Sequence, residues 1–191
     1  MSDPQKWVNA MQLEALNFTC GFCGKLIGAQ WGWQRTDMPG QRLRICPSCL
    51  RPTYFDNGTQ FPGEKFGEPV DKLPSDIERL YDEARTSCGN KAYTGAVLLL
   101  RKLLMNIAVD LGATVGETFM QYVEFFSAKG YVPPQGKHWV DHIRKKGNEA
   151  NHEIILMTEE DARELIDFSE MLLKFNYEFP ARVPKNSGAT P

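Results

Sequence analysis

The chain has 191 residues, of which 42% are hydrophobic, and a formal net charge of −2 at pH 7. This length allows one ordinary domain, or one domain with a small additional module. The near-neutral charge does not favour a general polyanion-binding protein, although residues 1–55 hold six basic side chains against three acidic ones. No stretch reaches the roughly 18 consecutive apolar residues of a membrane span, and residues 1–16 lack the apolar core of a signal peptide. We therefore expect a globular cytoplasmic protein with no membrane association.

Four cysteines near the start of the chain form two C-x-x-C pairs. Cys20 pairs with Cys23 and Cys46 with Cys49, and 22 residues separate the two pairs. This spacing is the sequence form of a structural zinc site, because a tetrahedral Zn²⁺ takes four thiolates from two tight turns. We therefore predict one structural Zn²⁺, bound by all four cysteines in a small β zinc ribbon.

Other uses of these cysteines fit the sequence less well. A disulfide framework needs an oxidising compartment, and a thioredoxin-like site has a single C-x-x-C near a βαβ pattern, which is absent from the sequence. An iron site is the closer rival, since both pairs resemble the metal-binding turns of rubredoxin. Leu50 follows the second pair where that family has glycine, and the intervening loop is basic, so zinc is favoured. The fifth cysteine, Cys88, is expected to be a small buried apolar residue.

The ribbon sequence suggests a surface with two possible uses. Strands are predicted at Leu26–Trp33 and Gln41–Ile45. A period of two places Arg42 and Arg44 on one face of their strand, while Trp31 and Trp33 share a face of the other. These side chains could form a stacking platform for single-stranded nucleic acid, with Arg42 and Arg44 as binding residues. The favoured interpretation is that the tryptophans cover the small core or dock the ribbon on a neighbouring domain.

The remainder of the chain is predicted to be helical after a linker, which makes the fold class α+β. We expect an N-terminal segment at residues 1–17, the zinc ribbon at 18–55, a linker at 56–74, a helical bundle at 75–180 and a flexible tail at 181–191. Helices are predicted at Ser75–Ser87, Lys91–Leu111, Glu117–Lys129, about Gly136–Lys146, and from Thr158 onward. Thr158 and Asp161 have the spacing of a capping box. In the last helix Phe168, Met171 and Phe175 widen the apolar stripe, which predicts a homodimer contact or further core.

Several segments of the helical region resemble one known domain family. They are Leu73-Pro74 with Tyr81, Glu83 and Ala84, the leucine-rich segment from Leu98 to Leu104, and the segment from Ile143 to His152. Over about residues 73–178 the chain is similar to an uncharacterised helical domain that is often fused to type I restriction subunits and is grouped with the HEPN superfamily. The most specific part of the resemblance is the string of Gly147, Asn148 and His152.

The resemblance implies a HEPN-like all-α bundle and a possible ribonuclease site. Active HEPN members are metal-independent ribonucleases, commonly dimers, with an arginine, a polar residue and a histidine in a short signature. Their roles would make His152 an acid/base or phosphate ligand and Asn148 its polar partner. Gly147 stands in the arginine's place, and Arg144 is the candidate to replace it. Met105 stands where related domains carry a glutamate, which is a second departure.

Two classes of function remain after these observations. The basic run of Arg144, Lys145 and Lys146 is either a solvated surface or a set of contacts to a phosphate backbone. We predict a zinc-binding, nucleic-acid-associated adaptor or binding protein in restriction or anti-phage conflict, with RNA or DNA and a restriction or defence protein as partners. Gly147 favours this non-catalytic interpretation. The alternative is a metal-independent HEPN-type ribonuclease that uses His152.

Overall fold

The structure is a computed structural model that describes residues 7–132, 143 and 156–183. These residues fall into two compact units. The first, which we call the β unit, extends to Phe66 and includes Gly89–Lys91; the second, the helical unit, contains Gly67–Cys88 and the described residues from Ala92 onward. The α+β fold class predicted from the sequence is confirmed.

The β unit is one antiparallel sheet whose five strands are neighbours in chain order. The strands are β1 (Met11–Thr19), β2 (Leu26–Gln34), β3 (Gln41–Ile45), β4 (Pro52–Asp56) and β5 (Thr59–Phe61). The pairing of β1 with β2 shifts register between Gln12 and Leu16, which indicates a bulge or similar irregularity in β1. The sheet takes in more of the chain than residues 18–55, because β1 begins before them and β5 follows them.

The core of the β unit is small. Its buried cluster consists of five residues, Phe18, Cys20, Ala29, Cys46 and Phe55. The rings of Phe18 and Phe55 meet edge to face, with their centroids 4.9 Å apart. Two of the five residues are cysteines, so the apolar surface buried by ordinary side chains is limited. A module with so little core generally needs a metal ion or disulfides to remain folded.

The helical unit is organised around the longest of its described helices. Its helices are α1 (Ser75–Gly89), α2 (Tyr93–Asp110), α3 (Phe119–Ala128) and α4 (Glu159–Leu173), with a π-helical turn at Lys174–Glu178 and a short α5 (Phe179–Arg182). Helix α2 packs against both α3 and α4, and its buried side chains lie on one face, whereas the opposite face, which includes Leu98, is exposed. The predicted capping box of Thr158 and Asp161 begins α4, and a second box of Thr118 and Gln121 begins α3. Within the described ranges, no helix is long and apolar enough to cross a membrane.

The chain just before α1, which the sequence predicts as linker, is bonded to the helical unit. The backbone N–H of Glu68 donates to Glu170 Oε2 at 2.7 Å, and that of Asp71 donates to Glu178 Oε2 at 3.0 Å. Val70 lies between them and is buried. The buried carboxylate of Glu178 thus accepts a backbone hydrogen bond that this segment would otherwise lack.

The apolar stripe predicted on the last helix divides between core and surface. Phe168 is fully buried in the helical unit, which agrees with the further-core alternative and corrects the dimer alternative for this residue. Met171 is half-buried, whereas Phe175 in the π-helical turn is 52% exposed. Phe175 meets the exposed Phe179 edge to face, with ring centroids 5.4 Å apart. The predicted helix at about Gly136–Lys146 lies outside the described residues, apart from the buried Ile143.

Candidate metal centre

The four predicted ligands come together. The Sγ atoms of Cys20, Cys23, Cys46 and Cys49 all lie within 4.8 Å of one another. The Cys20–Cys49 and Cys23–Cys46 Sγ distances are both 3.8 Å. A Zn²⁺ with Zn–S bonds of about 2.3 Å in a regular tetrahedron places its sulfurs about 3.8 Å apart. These distances exceed the roughly 2.05 Å of a disulfide, and the cysteines are free thiols. The cluster therefore has the donors and spacing for one tetrahedral metal ion.

The two cysteine turns repeat each other in backbone hydrogen bonding. In each turn the N–H of the first cysteine donates to the carbonyl five residues later, and its own carbonyl accepts from the N–H four residues later. The bonds are Cys20 to Lys25 (3.0 Å) and Gly24 to Cys20 (2.8 Å) in the first turn, and Cys46 to Arg51 (3.1 Å) and Leu50 to Cys46 (2.9 Å) in the second. A four-thiolate metal site takes two thiolates from each of two such turns.

The residue after each pair has a left-handed backbone. Gly24 has φ +68° and Leu50 has φ +61°. Glycine adopts this conformation freely, whereas a residue with a Cβ pays about 1–2 kcal/mol. The absence of glycine after the second pair therefore strains the turn without changing its geometry. Leu50 therefore has the same left-handed backbone conformation as Gly24 in the first turn.

We expect Leu50→Gly to stabilise the metal-loaded β unit by about 1 kcal/mol, because it removes the Cβ from a left-handed position. The contact made by the Leu50 carbonyl, which accepts from Trp7 Nε1 at 3.0 Å, is retained. Urea unfolding of the metal-loaded protein, followed by tryptophan fluorescence, measures the change. Leu50→Ala is the matched control, since it shortens the side chain but keeps the Cβ. Equal stability of the glycine and alanine variants would contradict the prediction.

Burial makes the thiols poor acids unless a cation is nearby. It raises the pKa of the Cys49 thiol to about 12, and it also raises the pKa of Cys20. Burial acts in the same direction on Cys23, but hydrogen bonds from the Lys25 backbone and the neighbouring cysteines outweigh it and lower the pKa of that thiol. A coordinated metal ion deprotonates its thiol ligands, so metal binding here releases protons.

A row of apolar side chains crosses one face of the same sheet. Trp33, Leu43, Tyr54 and Phe61 stand directly opposite one another on β2, β3, β4 and β5, and we call them the aromatic row. Leu43 is 38% and Phe61 49% exposed. The rings of Tyr54 and Phe61 stack with their centroids 6.2 Å apart. The rings of Trp7 and Trp33 meet edge to face, with their centroids 5.7 Å apart. Leu43 and Phe61 are therefore the exposed apolar side chains of the row, whereas Trp33 and Tyr54 are half-buried.

A hollow of about 250 Å³ lies at the row. Trp33, Leu43 and Tyr54 contribute to its lining, together with residues 34, 35, 41 and 42. Arg35 is bound to Asp37 by two hydrogen bonds, of 3.0 and 2.5 Å, and also donates to Gln41 Oε1 at 2.9 Å. The charge of Arg35 is thus compensated within the β unit, whereas Arg42, which also lines the hollow, donates to a backbone carbonyl.

The arginines predicted to accompany the tryptophans lie on the other face. Because Trp33 pairs with Leu43, and side chains alternate along β3, Arg42 and Arg44 lie on the face of β3 opposite to Leu43, although Arg42 also contributes to the lining of the hollow. Arg42 is half-buried, and its Nε donates to Pro39 O at 2.7 Å. The single basic and aromatic platform predicted from the sequence is therefore divided between two faces.

Arg44 is not a surface residue, which corrects its prediction as a nucleic-acid contact. It is 1% exposed, and its Nη1 donates to the carbonyl oxygens of Glu14 at 2.5 Å and Ala29 at 3.0 Å. Glu14 lies in the irregular part of β1, so the bulge presents a backbone acceptor to the guanidinium. The Arg44 side chain thus links β3 to β1 and β2 by hydrogen bonds inside the β unit. It is too deeply buried to contact a ligand.

The remaining predicted site residues lie outside the described part of the chain. They are Arg144, Lys145, Lys146, Asn148 and His152. Sequence reasoning, for its part, missed Tyr54 and Phe61 of the aromatic row. Alternation in residues 52–56 is a usable signal for Tyr54, whereas Phe61 stands in a segment rich in glycine and proline that reads as linker.

The helical unit can be classified by comparison with known families. A family described as a domain of unknown function (DUF4145) matches residues 82–187, just over half of the chain. The chain belongs to this family. The DUF4145 match covers α2, α3 and α4 and half of α1, and it leaves out the five strands, so the cysteine cluster is an addition to the family domain. Neither the curated proteins nor the solved structures contain a match to the chain.

Proposed function

We propose that this chain is a zinc-binding, nucleic-acid-associated adaptor that acts in restriction or anti-phage conflict in the cytoplasm, without catalysis of its own. The observation that carries the adaptor role is the aromatic row, with its exposed Leu43 and Phe61, on a sheet whose cysteines are placed to hold a metal. Contiguous exposed apolar surface marks interaction sites. A metal ion at the cysteine turns would keep that surface rigid, which lowers the entropy lost on binding.

The nucleic-acid association rests on the helical part of the chain. The basic run of Arg144, Lys145 and Lys146 is a set of three adjacent cations suited to phosphate contacts. Arg42 is a candidate fourth contact in the β unit, since its single hydrogen bond there, among the described residues, uses Nε and leaves the Nη donors. The resemblance of residues 73–178 to HEPN-like domains of restriction subunits supports a restriction or defence protein as partner.

Removing the basic run is expected to weaken binding of single-stranded nucleic acid. Changing Arg144, Lys145 and Lys146 to glutamine should lower the slope of log K against log salt concentration by about 2, because each contact to a single strand contributes about 0.7. Fluorescence anisotropy with labelled RNA and DNA oligonucleotides measures this slope. The control changes three exposed lysines outside the run to glutamine, namely Lys25, Lys102 and Lys129. Absence of binding at low salt, or equal slopes for the two triple variants, would count against nucleic-acid association through the run.

The alternative function is a metal-independent ribonuclease, which Asn148 and His152 favour through their spacing. An imidazole titrates near neutrality, so His152 could take the proton of a ribose 2′-hydroxyl and return one to the leaving oxygen. Arg144 would offset charge on the phosphate in place of the arginine that Gly147 replaces. Incubation of mixed RNA with wild type and His152→Ala in EDTA tests this. Cleavage that is lost in His152→Ala would overturn the adaptor proposal, whereas binding without cleavage by either protein supports it.

We also propose a homodimer formed through Phe175 and Phe179. Both rings are exposed, and their edge-to-face contact gives a preformed apolar surface of the kind that symmetric interfaces bury. Light scattering should give twice the chain mass of 21.7 kDa for wild type and the monomer mass for the double serine variant. Leu98→Ser is the control, because Leu98 on α2 is 56% exposed and lies outside the proposed contact. A monomer mass for the wild-type protein would contradict the proposed homodimer.

A further inference from the structure

One guanidinium of the helical unit is half-buried and has no polar partner in the described part of the chain. Arg101 lies on α2, and among the described residues it makes no hydrogen bond and no ion pair. Its Cζ lies over the ring of Phe119, 4.6 Å from the ring centroid. Burial lowers the pKa of Arg101, because the surroundings do not favour its charge. A half-buried cation without a partner is costly for the fold, so an anion from outside the chain would relieve that cost.

The neighbours of Arg101 leave its N–H donors without an acceptor. A cation–π contact supplies no oxygen, so the five donors of the guanidinium are still available to a carboxylate or phosphate group. Asp161 is the described carboxylate that lines the same pocket. Its Oδ2 accepts hydrogen bonds from the backbone N–H and the hydroxyl of Thr158, both at 2.8 Å, in the capping box of α4. Asp161 thus serves the helix cap and forms no ion pair with Arg101.

The pocket at Arg101 is small and mostly apolar. Besides Arg101 and Asp161, it is lined by five apolar side chains, those of Val97, Phe119, Ile143, Met157 and Leu165. Its enclosed volume is about 10 Å³, close to the minimum that holds one water molecule. A nucleobase or an organic cofactor does not fit into this space, whereas a single oxygen atom does. The pocket therefore suits an anion that places one oxygen beside the guanidinium while the rest of the ligand stays outside.

Two of the lining residues flank the part of the sequence that carries the proposed phosphate contacts. Ile143 directly precedes Arg144, the first residue of the basic run, and Met157 follows the same stretch of sequence. We propose that Arg101 is a further contact to nucleic acid and that it binds a backbone phosphate, one oxygen of which enters the pocket. Arginine suits this role because its planar donors match phosphate oxygens. The assignment rests on the nucleic-acid association proposed above and adds a described residue to it.

Arg101→Gln tests the proposal in the full-length, metal-loaded protein. Binding of a labelled single-stranded oligonucleotide should weaken at least about tenfold, because hydrogen bonds between charged groups are the strong ones. The slope of log K against log salt concentration should fall by about 0.7, the share of one phosphate contact. Arg101→Lys keeps the charge and should keep that slope. The matched control is Lys102→Gln, since Lys102 is the next residue on α2, is exposed and does not line the pocket. Fluorescence anisotropy measures affinity and slope, and far-UV circular dichroism checks the helices.

The outcomes separate this inference from the function on which it rests. Weaker binding and a smaller slope in Arg101→Gln, with wild-type behaviour of Lys102→Gln, support the contact. If the triple variant of the basic run weakens binding and Arg101→Gln does not, the inference fails and the nucleic-acid association stands. If the wild-type protein binds no oligonucleotide at low salt, both fail.

Three further results would overturn the inference alone. Equal effects of Arg101→Gln and Lys102→Gln would show a general effect of charge. Loss of the helical circular-dichroism signal in Arg101→Gln would assign the guanidinium to the fold. If Arg101→Gln abolishes binding of inorganic phosphate and leaves oligonucleotide binding unchanged, the pocket binds a free anion and not a nucleic-acid backbone.

Discussion

Replacing Cys20 by serine is expected to abolish metal binding and to unfold the β unit while the helical unit remains folded. Cys20 is one of the five residues of the small β core as well as a predicted ligand. Structural zinc sites bind with about 10–16 kcal/mol, and whole domains are stable by only about 5–15 kcal/mol. Loss of the metal therefore removes enough free energy to unfold a module with so little apolar core.

Three measurements test the loss of metal binding and the unfolding of the β unit that we expect in Cys20→Ser. Elemental analysis should give one zinc per chain for wild type and less than half of that for Cys20→Ser. Tryptophan fluorescence reports mainly on the β unit, because Trp7, Trp31 and Trp33 lie there and the chain has four tryptophans. Far-UV circular dichroism should retain the helical signal, since the described helices lie in the other unit. Removal of the metal from wild type by a chelator should reproduce the variant.

Cys88→Ala is the matched control for this experiment. Cys88 is a free cysteine buried in the helical unit, where burial raises the pKa of its thiol to about 11. The variant should keep its full metal content and the fluorescence of wild type. Full metal content in Cys20→Ser would contradict the four-cysteine site, and iron in place of zinc would contradict the choice of metal. Concerted loss of sheet and helices in Cys20→Ser would show that the two units do not fold independently.

The features that the sequence predicts well are those set by local spacing. The two C-x-x-C pairs predict the cysteine cluster because two tight turns can be recognised from four residues. Strand β3 has the predicted bounds, and Thr158 with Asp161 forms the predicted capping box, since strand alternation and helix capping both act over a few residues. The helical region is recognised through its apolar periodicity, which needs no knowledge of the neighbouring elements.

The features that the sequence does not predict depend on pairing between distant segments. Alternation within β2 and β3 shows which residues share a face of each strand, but only the register shows that Trp33 adjoins Leu43 rather than Arg42. The burial of Arg44 depends on the Glu14 carbonyl in β1, a strand that was not predicted. The burial of Phe168 is not predicted for the same reason. The apolar stripe of its helix does not show which other elements pack against this residue.

Arg44→Ala is expected to destabilise the β unit by about 3–5 kcal/mol. The substitution leaves the carbonyls of Glu14 and Ala29 without their side-chain donor, at about 1–3 kcal/mol each, and it opens a cavity under the sheet. The environment is already unfavourable to the charge, because burial and then Arg42 lower the pKa of Arg44. Its Nε and the hydroxyl of the opposing Thr53 are also buried without a partner in the described structure. The two carbonyl contacts are therefore the hydrogen bonds that offset the burial of this arginine.

Two further variants separate the contributions to this loss. Arg44→Met keeps most of the side-chain volume and removes the charge and its hydrogen bonds. The stability that Arg44→Met loses therefore measures the hydrogen bonds, and the further stability lost in Arg44→Ala measures the cavity. Arg42→Ala removes a half-exposed guanidinium with one hydrogen bond and should cost less than about 1 kcal/mol. Urea unfolding at a fixed excess of zinc, followed by tryptophan fluorescence, gives all three values. If Arg44→Ala and Arg42→Ala lower the free energy of unfolding equally and only slightly, Arg44 is not held inside the sheet. Arg44 would then again be a candidate surface contact for nucleic acid.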